Sequence, residues 1–207
     1  MTTPYWGMLK ELGVWPVREV IRYHRLMLYQ SMMDSKDERL GKSIIVMQKE
    51  SKRRDNWYGG TEEAAREVKV RLEWAKEMKK ERWKKTIKEK ICKKVIEDIK
   101  EKESSSRKMR HQKGQTWERK EYLKEMSVEE ASRTMRRRLE MLDIGNNWGK
   151  QRKCRCGEKE SSEHMIACKL NTDKIKVKEE WLKETEDLEK IRKVNEYFRR
   201  KLENREK

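Results

Sequence analysis

The stretch Trp83-Lys84-Lys85-Thr86-Ile87-Lys88-Glu89-Lys90-Ile91-Cys92-Lys93-Lys94-Val95-Ile96-Glu97-Asp98-Ile99 puts an apolar side chain at every fourth position. A step of four drifts around a helix of about 3.6 residues per turn. The spacing therefore predicts a helix with a wrapped apolar stripe rather than a coiled-coil seam. The intervening residues are mostly charged, as expected of wide solvated flanks beside one buried side. The helical reading extends from Thr61 to Glu103, with Val70 and Lys79 as points where it can break, and Ser104-Ser105-Ser106 closes it.

Helical spacing recurs on both sides. Thr3-Pro4-Tyr5-Trp6-Gly7 reads as a turn with exposed aromatics, and Trp15-Pro16 opens a helix that runs to Met33. Ser35 to Glu38 fits a capping box for a helix lined by Leu40, Ile44, Ile45 and Met47, and Asn56 to Gly60 is a turn. After the long stretch, Arg107 to Thr116 reads as a flexible basic linker and Trp117 to Met126 as a short helix. Ser127-Val128-Glu129-Glu130 is a second capping box, followed by Ala131, Met135, Leu139 and Leu142 on one face. Gly145 to Gly149 stops that helix, Cys154 to Cys168 forms a compact unit, and Thr172-Asp173 opens a last helical region. The expected fold is mainly α: an elongated helical array with a long central helix and a small zinc-knuckle unit near the C-terminus. Four segments follow: an N-terminal helical region (1–60), the long basic helix with linker and second helical region (61–150), the knuckle (151–170) and a C-terminal helical tail (171–207).

Composition narrows the function. The chain has 207 residues and a net charge of +17; 45% of its residues are charged and 34% hydrophobic. Globular domains are about 45–50% apolar, glycine included, so a large dry core of the Rossmann or barrel kind is excluded. The charge is clustered: Lys79 to Lys94 holds nine basic side chains against Glu81 and Glu89. Ser104 to Thr116 adds Arg107, Lys108, Arg110 and Lys113 with no acid, and Arg133, Arg136, Arg137 and Arg138 form a third group. Like charges at this density are tolerated on a solvated face or against a polyanion. Nucleic acid is the partner they fit, through Lys79, Lys80, Lys84, Lys85, Lys88, Arg107, Lys108, Arg110, Arg133, Arg136, Arg137 and Arg138, with Trp148 placed to stack on a base. A membrane partner is not expected, because no long apolar run exists and the basic stretch lacks a strong apolar face.

The sharpest chemical signal is Cys154-x-Cys156-Gly157, then His164 and Cys168. Three thiolates and one imidazole match tetrahedral zinc. His164 and Cys168 are four apart and so share a side of one helical turn. Gly157 permits a sharp turn after the first pair. The alternative is three free thiols and a surface histidine, but three of the four cysteines fall within fifteen residues. One structural zinc is the expected cofactor. The fourth cysteine, Cys92, reads as a small hydrophobe. With no signal-peptide pattern, the thiols imply a reducing compartment, nuclear or cytoplasmic, and not secretion.

No catalytic residue stands out. There is no Gly-rich phosphate loop and no Ser–His–Asp pattern, and the acids are interleaved with Lys and Arg as helix pairs. Asp143 reads as ordering the turn after an apolar helix. Neither enzyme activity nor a small-molecule substrate is expected.

Several blocks resemble the region downstream of the reverse transcriptase in non-LTR (LINE-type) retrotransposon polyproteins. They are Thr3-Pro4-Tyr5-Trp6-Gly7-Met8-Leu9, Gly13-Val14-Trp15-Pro16, Arg25-Leu26-Met27-Leu28-Tyr29 and Asp37-Glu38-Arg39-Leu40; then Trp117-Glu118-Arg119-Lys120-Glu121-Tyr122; then Arg138-Leu139-Glu140-Met141, Asn146-Asn147-Trp148-Gly149-Lys150 and the Cys154–Cys168 motif. The resemblance touches most of residues 3–170. It implies a non-catalytic region that grips RNA or target DNA, or both, beside an upstream reverse transcriptase domain. With Met1 directly before Thr3-Pro4, a truncated reading frame or fragment is expected. The Cys-x-Cys spacing departs from the family pattern, as does the lack of a nuclease after the knuckle. The competing expectation is a helical protein–protein scaffold with no nucleic-acid role, whose Trp and Met residues meet a partner while the charge keeps it soluble.

Overall fold

The computed structural model describes residues 5–34, 40–51, 53, 55–144, 152–171, 176–182 and 187–203. The Ser35–Glu38 box, the Gly145–Gly149 stop with Trp148, and Thr172-Asp173 lie outside the described residues, as do the side chains of Arg107 and Arg110. The α-helices are α1 (Tyr5–Leu12), α2 (Val17–Met33), α3 (Leu40–Glu50), α4 (Trp57–Glu67), α5 (Trp74–Glu77), α6 (Lys80–Ser105), α7 (Tyr122–Glu125), α8 (Val128–Arg138), α9 (Ser162–Ala167) and α10 (Leu188–Glu203), with 3-10 turns at Arg107–Gln112 and Glu179–Leu182. The protein is mainly helical. The β-structure among the described residues is one antiparallel bridge, Lys153 with Lys159. None of the described helices is long and apolar enough to cross a membrane.

Packing divides the chain into two units, one of Trp15–Asp98 and one of Met1–Val14 with Ile99–Lys207. The four segments drawn from composition are therefore not the units of packing. The N-terminal residues belong with the C-terminal half, and the division falls inside α6.

In the Trp15–Asp98 unit, Trp83, Ile87, Ile91 and Val95 of α6 are fully buried, as their spacing required. Leu26 and Tyr29 of α2, Ile45 of α3 and Tyr58, Ala64 and Ala65 of α4 are buried in the same unit. The Trp83 indole N–H donates to the Leu26 carbonyl at 3.2 Å, so this large ring is buried without an unmet donor. Gln30 donates to the carbonyls of Ala75 (3.3 Å) and Met78 (3.1 Å), which satisfies the end of α5. The helical stretch read as Thr61 to Glu103 is interrupted twice. Lys69 takes a left-handed φ of 57° after α4, and Met78 is extended after α5.

The other unit is organised around a buried carboxylate. Tyr5–Leu12 is a helix rather than a turn, and it carries Glu11, which is fully buried. The Glu11 carboxylate accepts from Gln112 Nε2 (2.7 Å), the Tyr122 hydroxyl (2.7 Å) and Arg138 Nε (2.8 Å). Beside it the Lys10 ammonium pairs with Glu103 and donates to the Gln112 carbonyl at 2.7 Å. The segment read as a flexible linker is thus fixed in place: Met109 and Gln112 are buried, and Arg107–Gln112 winds as a 3-10 turn. Gly13 ends this region with φ of 63°, and a Cβ there would lie 2.3 Å from the Arg119 backbone nitrogen. The short helix expected over Trp117–Met126 is confined to Tyr122–Glu125, while the Ser127–Glu130 capping box forms as read. Tyr122, Met126, Ala131 and Ile191 make one apolar cluster, and Leu142, Ile144, Met165, Leu182, Val194, Tyr197 and Phe198 make another.

Removing one partner of a buried ion pair costs about 3–5 kcal/mol, because the other charge is left buried and unmet. Glu11→Ala is expected to destabilise the Glu11-centred unit by about that amount in chemical denaturation followed by circular dichroism. The double change Glu11→Leu with Arg138→Met is expected to cost less than Glu11→Ala alone.

Candidate metal centre

The site begins with a tight hairpin. The Cys154 N–H donates to the Glu158 carbonyl (2.8 Å), the Gly157 N–H to the Cys154 carbonyl (2.9 Å) and the Glu160 N–H to the Arg152 carbonyl (3.1 Å). Gly157 turns the chain with φ of 91°. Open space surrounds its Cα, so backbone conformation and not crowding selects glycine there. Ser161 then caps α9, its hydroxyl accepting the His164 N–H at 3.0 Å. That cap fixes the helical turn from which His164 and, at its end, Cys168 reach back to the hairpin.

The ligand atoms of Cys154, Cys156, His164 and Cys168 all lie within 4.8 Å of one another. Cys154 Sγ is 3.5 Å from Cys168 Sγ, and Cys156 Sγ is 3.2 Å from His164 Nε2. Ligands at about 2.0–2.3 Å from a tetrahedral ion stand roughly 3.3–3.8 Å apart, so these four can close around one metal ion. An ion held by all four would have a tetrahedral set completed by the protein.

Electrostatics favour a cation here. The Cys156 backbone N–H donates to the Cys154 sulfur and outweighs its partial burial; with His164 and the other two thiols adding, the Cys154 pKa falls to about 6. At Cys168 the Leu170 N–H favours the thiolate, but partial burial and the neighbouring Cys154 and Cys156 sulfurs together push its pKa up. Thiols this close oppose one another's ionisation, and a divalent cation between them removes that conflict.

Sequence reasoning missed Glu158. Its carboxylate lies 3.0 Å from His164 Nδ1. A carboxylate accepts, so Nδ1 carries the proton and the Nε2 lone pair is aimed at the sulfurs. Two residues beyond Cys156, Glu158 returns along the hairpin to the ligand side, a signal visible only once the turn is known.

Among the described residues, the segment that carries the four ligands packs on α10. Met165 of α9 packs against Val194, Tyr197 and Phe198 of α10, together with Leu142 and Ile144. The Tyr197 hydroxyl donates to the Met165 carbonyl and accepts from Asn171 Nδ2 (2.9 Å), which also donates to the Ile166 carbonyl (3.2 Å). Arg152 pairs with Asp143 at 3.0 Å, so that acid orders the approach to the hairpin.

The residues read as a nucleic-acid surface fare unevenly. Lys79, Lys80, Lys85 and Lys88 are exposed and Lys84 is half-buried, all in the Trp15–Asp98 unit. Lys85 makes a long 4.0 Å pairing with Glu89. In the other unit Arg136 is exposed, Lys108 is half-buried and Arg133 pairs with Glu129 at 2.7 Å. Arg137 and Arg138 correct the sequence reading: they are 3% and 4% exposed and face the interior. Arg138 is held by Glu11 and Gln115. Burial, with Arg138 beside it, pulls the Arg137 pKa below the ordinary arginine value. Arg138 follows Ala131 by seven residues and Thr134 by four, so it falls on the helix's buried stripe. The periodicity carried that signal, and the residue type masked it. Trp148 lies outside the described residues.

Searches against family models, curated proteins and solved structures gave no match.

Carboxylates that orient a ligating histidine typically contribute about 10–100-fold to metal affinity. Because Glu158 is largely exposed, Glu158→Ala is expected to weaken binding about tenfold, at the low end of that range. Competition with a chromophoric chelator reads this directly, and unchanged affinity would show that His164 needs no such support.

Proposed function

We propose that this chain is a non-catalytic nucleic-acid-binding protein whose C-terminal half is held in shape by one structural zinc ion. The observation that carries the proposal is the convergence of three thiols and one imidazole, within 4.8 Å, in a chain of net charge +17. Soft sulfur ligands with one imidazole in a four-coordinate set favour zinc over magnesium or calcium, which take oxygen ligands. A closed set of ligands serves folding rather than catalysis. The exposed Lys80, Lys85 and Lys88 supply charge along α6, with Lys79 just before it, and Arg136 is exposed in the other unit. Arg138 is withdrawn from the surface by its pairing with Glu11, and Arg137 is buried beside it.

The resemblance to the region after the reverse transcriptase in LINE-type retrotransposon polyproteins supports the same reading. It makes RNA, target DNA or both the partner, with an upstream polymerase domain as a second one, in a reducing nuclear or cytoplasmic setting. The scaffold reading draws on a different observation: Val17, Ile21 and Leu28 of α2 are 67%, 58% and 51% exposed and lie along one side of that helix.

Elemental analysis of protein purified under reducing conditions is expected to give one zinc per chain. Cys168→Ser is expected to lose it while most helical circular dichroism remains. Binding to nucleic acid is expected to weaken with salt, at a slope near −0.9 per phosphate contact on duplex and −0.7 on single strands. Lys80, Lys85 and Lys88 changed together to Gln should reduce that slope by about two to three. Zinc-free protein that is fully folded, or binding indifferent to salt, would overturn the proposal, and the second result would favour the scaffold.

A further inference from the structure

Two lysines face each other across the hairpin that carries the metal ligands. Lys153 and Lys159 form its antiparallel bridge. The backbone bonds flank this pair, from Cys154 to Glu158 and from Glu160 to Arg152, so it is the non-hydrogen-bonded kind. That is where cross-strand side chains come closest, with Cβ atoms about 4.5–5.5 Å apart, and like charges directly opposite destabilise the pairing. Both lysines are exposed, and so is Arg155 at the turn.

The hairpin's own acids do not relieve this repulsion. Successive side chains alternate between faces. Cys154, Glu158 and Glu160 take the ligand side, where Glu158 meets His164 and Glu160 is buried. Lys153 and Lys159 therefore take the opposite side. No carboxylate among the described residues pairs with Lys153, Arg155 or Lys159. The alternation thus sets Cys154, Glu158 and Glu160 on one face and Lys153 and Lys159 on the other, with the exposed Arg155 at the turn between them.

We infer that the outer face of this hairpin is a phosphate-binding site, where Lys153 and Lys159, with Arg155, grip the phosphodiester backbone of a nucleic-acid strand. The inference rests on the nucleic-acid reading above and gives it a location that the basic helices do not. A phosphate seated between the two ammonium groups turns their mutual repulsion into attraction for a shared anion. Metal on one face and phosphate on the other also makes the zinc an indirect determinant of affinity, because it sets the hairpin's geometry.

The test uses the full zinc-loaded chain and a short single-stranded RNA, with affinity measured across a salt series. Lys153→Gln, Arg155→Gln and Lys159→Gln together should lower affinity about 10–100-fold near 0.1 M salt and reduce the salt slope by about two. A matched loss of charge elsewhere, with Lys49, Lys100 and Lys176 changed to Gln, should leave the slope near wild type. Lys153→Arg with Lys159→Arg should keep wild-type binding. Zinc content is read on every sample, and all of these variants should retain one ion. If the wild type binds with a normal salt slope and the hairpin variant binds equally well, the phosphate site is wrong and the broader function stands. Equal losses in the hairpin and matched variants would also overturn the site, since net charge alone would then explain them. If the wild type shows no salt-dependent binding, both fall together.

Discussion

Glu11 is the constraint on which much of the C-terminal half depends. One carboxylate, fully buried, accepts from a glutamine, a tyrosine and an arginine that lie 101, 111 and 127 residues away in the chain. A carboxylate in a low-dielectric interior is tolerated only when such donors surround it. Here they come from the Arg107–Gln112 turn, from α7 and from α8, so satisfying one charge fixes three elements on α1. In a chain so rich in cations, a buried acid makes an effective hub because donors are abundant and one cation can be drawn inside with it. The burial of Arg138 is the counterpart of the burial of Glu11.

The metal centre depends on a second tie, between α9 and α10. The knuckle hairpin is short, and Met165 and Ile166 alone would bury little area. Tyr197 and Phe198 extend that apolar surface, and the Tyr197 hydroxyl is bonded to the Met165 carbonyl. His164 of α9 and Cys168 at its end turn toward Cys154 and Cys156, while Met165 packs into the core with α10. A metal ion bound by these four side chains would therefore meet a partly ordered framework rather than an isolated peptide, which would lower the ordering cost it must offset.

The helical class was legible because Trp83, Ile87, Ile91 and Val95 obey a spacing that only burial along a helix explains, and all four are buried. The Cys154–Cys168 set was legible because few side chains ligate metal and these fall close in sequence. The Glu11 network was not. Its three donors lie more than a hundred residues from Glu11, and an acid among lysines on a helix is normally an i,i+4 partner at the surface. The same habit misplaced Arg137 and Arg138, since charge density argued for solvent while their position beside the Ala131 stripe argued for the interior. The Arg107–Gln112 turn was misread for a related reason. Its composition is that of a loop, and its order comes from Lys10 and Glu11, which lie outside any local window.

Arg138 and the hairpin lysines show two fates of basic residues in this chain. An arginine goes inside where a carboxylate is already committed to the interior and can take its N–H groups at 2.8 Å, as Arg138 does. A lysine stays outside where the nearest acids are engaged elsewhere, as Glu158 is with His164 and Glu160 is by burial. Counting charge along the sequence cannot separate these cases, because both occur in runs of similar density. What separates them is which face of an element the acids occupy. On α8 the acid comes from another element and draws arginine inward. On the knuckle hairpin the acids share the ligand face, so strand alternation leaves the cations together on the other. Charge left uncompensated by that geometry, more than the total of +17, marks where an anionic partner has most to gain by binding.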